Sequence, residues 1–152
     1  MTAPGVPAPI REYEVRARST DVFGRVLCSA RDHHYIIDGP VQNGCPGEEV
    51  TPPEAFLAGV ASCGVELVHV IAREQGVPLG RVAVTIKATL DRGNQPRTDV
   101  TVLNTFRMHL TLGATDAARA AALVEGFKRR LPLFGTIAVA IADVKVDFTV
   151  EA

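Results

Sequence analysis

The sequence has no surplus of charge of either sign. Its 152 residues contain 16 Lys and Arg against 17 Asp and Glu, a formal net charge of −1 at pH 7. Binding to nucleic acid or to an anionic membrane surface through the overall field needs a basic excess, so neither partner is expected. With 47% hydrophobic and 22% charged residues, the composition is that of a soluble globular domain able to bury a core.

Cysteine is scarce and is not arranged in pairs. Cys28, Cys45 and Cys63 are an odd number without a C-x-x-C motif, which excludes the usual disulfide framework of a small secreted protein. The N-terminal segment has neither a basic start nor an apolar run of signal-peptide length. We therefore expect a protein of the reducing cytoplasm, with residues 1–10 as a disordered, proline-containing arm and residues 11–152 as a single domain.

Motifs for metals and cofactors are also missing. The four histidines and three cysteines do not occur at zinc-ligand spacing, and the sequence has no phosphate-binding glycine loop, dinucleotide-binding motif or nucleophile-elbow serine. We expect neither a metal nor a cofactor.

The apolar pattern predicts six strands and two helices in an α+β order. The predicted strands begin at Arg11, cover 23–29 and 33–38, form a long antiparallel pair over 82–90 and 100–110, and end the chain over 144–150. A helix is predicted from Thr51, as N-cap, to Glu74 or Gln75, where Gly76 and Pro78 stop it. A second helix is predicted from Thr115 or Asp116 to Pro132.

The long predicted helix is apolar on nearly every side. Its most apolar part, residues 56–72, is short for a membrane span and carries Glu66 and His69, with Arg73 just after. Ser62, Glu66, His69 and Arg73 share one polar stripe, so we expect a core helix that is buried almost all round.

Residues 38–53 are rich in glycine and proline and predict a long loop, which in a compact domain is either functional or disordered. Cys45 lies within it, where a thiol is expected to be exposed and mobile. Such a thiol either resolves an oxidised partner or is incidental.

Cys63 lies near the middle of the long helix, beside the small residues Ser62 and Gly64. It is either a small core residue or a reactive thiolate. A thiolate would need a positive partner, because the nearby Glu66 raises the thiol pKa. The candidates are Arg16, Arg18 and Arg25 on the early strands.

One further pattern points to a family. Asp38-Gly-Pro, a glycine-rich loop and the segment Thr51-Pro-Pro-Glu-Ala-Phe-Leu-Ala-Gly-Val-Ala-Ser-Cys63 resemble the signature of the OsmC/Ohr superfamily of peroxide-handling proteins. Gly76-Val-Pro-Leu79 and Pro132 agree with it. The resemblance implies an intertwined homodimer, in which antiparallel sheet wraps around a long buried central helix and the active sites lie at the subunit interface.

The resemblance also implies roles for individual residues. Cys63 would be the peroxidatic cysteine, oxidised by a hydroperoxide to a sulfenic acid and restored through a disulfide by an external thiol reductant. An early-strand arginine, with Arg18 as our candidate, would activate it. Apolar neighbours on its face, Phe56, Val60 and Leu67, favour organic hydroperoxides.

The sequence departs from the family pattern at three points. Leu131 stands where the family has its second cysteine, so Cys45, Cys28 or an outside thiol would have to resolve the sulfenic acid. Pro53 stands where the organic hydroperoxide reductases have a carboxylate, and Glu54 matches the less specialised members. No single early arginine matches closely. Two hypotheses follow: a thiol peroxidase using Cys63, Cys45, Arg18 and Glu54, or a non-catalytic dimer of this fold that acts as a binding module.

Overall fold

The structure, a computed structural model, describes residues 9–151. The chain forms two compact units, one ending at Ala55 and one beginning at Phe56. Most of the predicted N-terminal arm lies outside the described residues; positions 9 and 10 are exposed.

The first unit is built on a three-stranded antiparallel sheet. Its strands are β1 (Arg16–Ser19), β2 (Arg25–Ala30) and β3 (His33–Asp38), in the order β1-β2-β3. A single 3-10 turn, Val41–Asn43, follows in the predicted loop.

The bounds of β3 agree with the prediction, but β1 begins five residues later than Arg11. The alternating apolar side chains of this predicted strand are open to solvent, with Tyr13 81% and Val15 61% exposed. In this segment the alternation of apolar and polar residues therefore does not indicate which side chains are buried.

Helix α1 (Pro52–Gln75) is the long helix predicted from the sequence. It ends in a Schellman arrangement, in which the N–H of Val77 donates to the carbonyl of Ala72 at 2.9 Å and Gly76 adopts a φ of +63°. The expectation of burial almost all round is wrong for the single chain. Only one face is fully buried, consisting of Val60, Gly64, Val68, Ile71 and Ala72.

By length and composition alone α1 is long and apolar enough to cross a membrane, so the shortness expected of residues 56–72 does not exclude a span. The core helix of a globular protein has the same properties, and the buried face of α1 belongs to the hydrophobic core of the second unit.

The second unit carries a mixed sheet and two further helices. Its elements are β4 (Val82–Thr89), β5 (Thr105–Gly113), α2 (Ala117–Arg130), α3 (Pro132–Ala140) and β6 (Asp143–Glu151). The sheet order is β4-β5-β6, with the predicted antiparallel β4–β5 pair and a parallel β5–β6 pair. Parallel neighbours need a long crossover, which α2 and α3 provide here.

Helix α3 was not predicted. Helix α2 ends at Arg130, and Pro132 then begins a new helix instead of only ending the old one. Proline is well tolerated in the first turn of a helix because its missing N–H would have no intrahelical acceptor there. The whole is a mixed α+β fold with a long central helix, as the sequence predicted.

Candidate functional site

Cys63 is a free, half-buried thiol on α1, packed at the edge of the core of the second unit. Burial raises its pKa above the ordinary value, and the negative charge of Glu66 raises it further. The thiol is therefore protonated at neutral pH unless a cation reaches it. This agrees with the effect expected of Glu66 from the sequence.

There is open space one helical turn before Cys63. A Cβ built on Gly59 meets no atom within 4 Å, whereas one built on Gly64 would lie 2.7 Å from the Cε of Met108. Phe56, another turn toward the N-terminus, is 49% exposed. The helix is thus pressed against β5 at Gly64 and accessible on the side of Gly59.

The three candidate arginines differ in their partners. Arg25 is paired with Asp38 through Nε and Nη2, both at 2.8 Å, and its Nη2 also donates to Glu48 at 2.7 Å. Arg16 lies 3.4 Å from the carboxylate of Glu14. Arg18 forms no ion pair with any carboxylate of residues 9–151.

Arg18 also lines an open groove of about 550 Å³ on the first sheet, together with Arg16, Leu27, Ser29 and His34. In this groove the Ser29 hydroxyl and His34 Nδ1 are hydrogen-bonded at 2.8 Å. Of the three arginines, Arg18 is therefore the one whose charge is available to a ligand or a thiolate.

The Arg25–Asp38 pair was missed by sequence reasoning. Asp38 is completely buried and also accepts hydrogen bonds from the backbone N–H groups of Glu48 and Glu49, at 3.1 and 3.2 Å. The Arg25 hydrogen bonds, helped by these two N–H groups, lower the pKa of Asp38 to about 2. The signal in the sequence was an acidic residue at the end of an apolar strand. Asp38 connects the long loop to the sheet through these hydrogen bonds.

Cys45 is half-buried, which corrects the expectation of an exposed loop thiol. It packs against the backbone of Gly24 and Gly39, where an added Cβ would lie 2.3 and 2.4 Å from its Sγ. Both glycines are needed for this contact, since any side chain would displace the sulfur.

Glu54 caps the start of α1. Its carboxylate accepts hydrogen bonds from the backbone N–H and the hydroxyl of Thr51, at 2.8 and 2.7 Å, and these bonds lower the pKa of Glu54. This is the reciprocal half of a capping box, in which Thr51 is the N-cap that the sequence predicted.

Leu131 is 2% exposed and lies between α2 and α3, within the hydrophobic core. The position where a second cysteine was expected from the resemblance is thus an integral packing position in this chain.

The predicted site residues are divided between the two units. Arg18, Cys45 and Glu54 belong to the first unit and Cys63 to the second. Their assembly into one site stays a prediction. No group of three or more His, Cys, Asp or Glu side chains within residues 9–151 is placed to hold a metal ion.

The protein is of the mixed α+β class, and its long helix carries a half-buried free thiol. Comparison of the chain with known protein families identifies its family. The model of the family described as OsmC-like protein matches residues 45–147, more than half of the chain. The chain therefore belongs to the OsmC-like protein family, as the sequence resemblance implied. A search of curated proteins found no match.

Solved structures share the fold at low sequence identity. An OsmC-like protein from Mycoplasma pneumoniae is 14% identical with a TM-score of 0.77, covering 93% of this chain and 96% of that one. An organic hydroperoxide resistance protein from Elizabethkingia anophelis is 15% identical with a TM-score of 0.75, covering 94% and 99%.

A putative organic hydroperoxide resistance protein from Vibrio cholerae, with captopril bound in one of its active sites, is 21% identical with a TM-score of 0.67. The match covers 91% of this chain and 93% of that one. At these identities the similarity establishes the fold alone.

Proposed function

We propose that this protein has a peroxide-stress role as a thiol-dependent hydroperoxide reductase, with Cys63 as the nucleophile. The observation that carries the proposal is the placement of a free, half-buried thiol on the long helix of an OsmC-like protein, beside open space at Gly59. The similarity to organic hydroperoxide resistance proteins supports an organic hydroperoxide as substrate. The proposed setting is the cytoplasm.

The proposed reaction consumes one hydroperoxide and two thiols of an external reductant. The Cys63 thiolate attacks one peroxide oxygen, the O–O bond breaks, and the leaving alkoxide takes a proton to become an alcohol. Sulfur is oxidised to the sulfenic acid. A reductant thiol then attacks that sulfur and releases water, and a second thiol reduces the mixed disulfide to regenerate Cys63.

The thiolate needs a cation, since burial and Glu66 both raise the pKa of Cys63. We assign this role to Arg18, because Arg16 and Arg25 already face carboxylates. A guanidinium close to a thiolate lowers the thiol pKa. Glu54 would act as a positioning residue that holds the start of the Cys63 helix.

An external thiol is the favoured resolving group. Leu131 occupies the position of the family's second cysteine, so this thiol is missing. Cys45 would have to leave its contact with Gly24 and Gly39 before it could attack another sulfur. Cys45 stays a proposed resolving thiol only if that loop opens.

A homodimer is part of the proposal. In the single chain the first unit leaves large apolar side chains open to solvent, Phe23 at 76% and Val41 at 67% among them, and the Cys63 face of α1 is incompletely covered. A second copy of the chain would bury both and give the thiol the dry, apolar surroundings that suit an organic hydroperoxide.

The alternative is a non-catalytic dimer that works as a ligand-binding module. Two observations favour it: the buried Leu131 in place of the second cysteine and the raised pKa of Cys63. Both would be expected if the thiol were only a small packing residue of α1.

Single-turnover oxidation separates the two functions. Reduced protein would be mixed with stoichiometric cumene hydroperoxide, and thiol loss and dimedone trapping of sulfenic acid would be followed in wild type, Cys63→Ser and Cys45→Ser. The peroxidase predicts that one thiol is lost much faster than a free cysteine, as for an activated nucleophile, with the trapped group on Cys63. Rates in wild type no faster than in Cys63→Ser would refute the peroxidase and leave the binding module.

The role of Arg18 is tested by the pH profile of the same reaction. In Arg18→Gln the midpoint of the rate profile should move to higher pH, because the thiolate loses its cation. Arg16→Gln, which removes the same charge from the same strand, is the matched control and should leave the midpoint in place. Equal shifts in both variants would contradict the assignment.

A further inference from the structure

The solvent side of the second sheet carries a row of three cations. On β5, Phe106, Met108 and Leu110 face the core, so the residues between them lie on the outer face. Strand register places Lys87 of β4 directly opposite Arg107 of β5, and Arg107 directly beside Lys145 of β6. Since neighbouring strands are about 4.8 Å apart, the three residues span about 10 Å across the sheet.

This row is unfavourable for folding by itself. Like charges directly opposite each other on neighbouring strands destabilise a sheet. The row does not follow from a basic composition, because the whole chain has a net charge of −1. A counter-charge that is not part of the sheet would remove the repulsion.

The nearest acidic side chains are already engaged. The carboxylate of Asp143 is paired with Arg107, and this hydrogen bond is the main cause of the lowered pKa of Asp143. Asp147 is hydrogen-bonded to Nδ1 of His109. Within residues 9–151, Lys87 and Lys145 have no carboxylate within ion-pair distance.

Arg107 is held in place at the centre of the row. Its Nη1 donates to the backbone carbonyl oxygens of Asp143, at 2.8 Å, and Phe106, at 3.0 Å, while Nη2 binds the Asp143 carboxylate. A guanidinium fixed at three points loses little further freedom when an anion arrives. The two lysines on either side are exposed to solvent.

The row lines a cavity of about 360 Å³ on this face. Its other polar walls are Thr85, His109 and Asp147, and the Nε2 of His109 lies 3.2 Å from the hydroxyl of Thr149. Sites for small molecules commonly have volumes from about 300 to 1,000 Å³. The cavity is therefore large enough for an organic molecule and not only for an ion.

We propose that this cavity binds the phosphate group of a small phosphorylated molecule. Lys87 and Lys145 would contact the phosphate oxygens from both sides, Arg107 would supply the charge between them, and the Thr85 hydroxyl would donate a hydrogen bond. Lys87 and Lys145, which form no ion pair within residues 9–151, together with the Asp143-paired Arg107 between them, match a phosphate dianion better than a single carboxylate. The inference is independent of Cys63 and of the proposed peroxidase.

The test is a titration of the full chain with inorganic phosphate, pyrophosphate and phenyl phosphate at constant ionic strength, followed by calorimetry and by the thermal unfolding temperature. The test variant is Lys87→Gln/Lys145→Gln. The control is Arg81→Gln/Arg92→Gln, which changes the net charge equally at two exposed cations outside the row. Sulfate at the same concentration reports simple charge screening.

We expect saturable binding of one phenyl phosphate per chain, weakened at least tenfold in the test variant and unchanged in the control. Without ligand, the test variant should unfold at a higher temperature than wild type, because the repulsion in the row is relieved. Phenyl phosphate should raise the unfolding temperature of wild type and of the control only.

Three results would overturn the inference. One is non-saturable binding to wild type, and another is equal weakening in the test and control variants. The third is binding of a single-stranded oligonucleotide more tightly than any of the small phosphates, which would identify the row as a nucleic-acid contact instead. If the test variant lost binding because it misfolded, its unfolding temperature without ligand would lie below that of wild type instead of above it.

Discussion

Each of the two units of this chain is stabilised by a different kind of interaction. The second unit buries a cluster of 17 hydrophobic residues, whereas the fully buried side chains of the described first unit are Cys28 and Asp38 alone. The first sheet is ordered mainly by its strand hydrogen bonds and by the Arg25–Asp38 pair. A regular sheet can therefore form where almost no apolar surface is buried, but such a unit gains little of the usual stabilisation from burial.

The largest expected difference is between two phenylalanines, one in each unit. Phe127 is fully buried, with its ring centre 5.5 Å from that of Phe134, and Phe127→Ala should cost about 3–5 kcal/mol of unfolding free energy. Phe23 is 76% exposed, and Phe23→Ala should change it by about 0.5 kcal/mol or less in the isolated chain. Urea denaturation measures both.

The same pair sharpens the dimer proposal. If a second copy covers the first unit, the cost of Phe23→Ala should grow with protein concentration, while the cost of Phe127→Ala should change much less. If Phe23→Ala lowered the free energy of unfolding as much as Phe127→Ala at every protein concentration, the contrast between the units would be contradicted.

A smaller effect, of opposite sign at two positions, is expected within α1. Gly64→Val would press on Met108 and Val84 and should cost about 1–3 kcal/mol. In the isolated chain Gly59→Ala meets open space and should stabilise the helix by up to about 1 kcal/mol, because alanine is the better helix former. Thermal unfolding measures both, and changes of the same sign would contradict the placement of the helix.

A further contrast between the units is the acid sensitivity of the first unit. The pKa of Asp38 is lowered from an ordinary 3.8 to about 2 in the folded protein. The contribution of ionised Asp38 to the free energy of unfolding is therefore complete above pH 3.8. It is lost as the pH falls toward 2, because the unfolded chain then binds the proton more readily. Asp38→Asn should remove this part of the pH dependence, as measured by urea midpoints between pH 7 and 2.

Asp99 is the matched control in the second unit. It also faces an arginine in a two-point contact, with Arg97 at 2.9 and 2.6 Å, but both side chains are about 60% exposed. Exposed pairs contribute little, so Asp99→Asn should leave the urea midpoints nearly unchanged. Equal effects of the two substitutions would show that burial of Asp38 does not matter.

Local rules were enough to predict several elements. The bounds of β3, the C-terminal end of α1 at Gly76 and the antiparallel β4–β5 pair follow from apolar periodicity and from the backbone preferences of glycine and proline. The missed elements have non-local causes. Helix α3 begins at a proline that also ends a helix, and the parallel partner of β5 depends on how the crossover returns.

The candidate site shows the same division. Cys63, the long helix and the resemblance to the OsmC/Ohr superfamily were available from the sequence, as was the missing second cysteine at Leu131. The partners of the three early arginines were not, because Arg25 and Asp38 are 13 positions apart and meet only across the β2–β3 pair.

By itself the sequence determined the α+β class, the family and the thiol-bearing helix, because these depend on short-range periodicity and on a contiguous motif. Only the tertiary structure decided which arginine keeps a free charge, that Cys45 is held against two glycines, and that Lys87, Arg107 and Lys145 stand in one row. Each of these depends on strand register or loop packing, which brings together residues that are far apart along the chain.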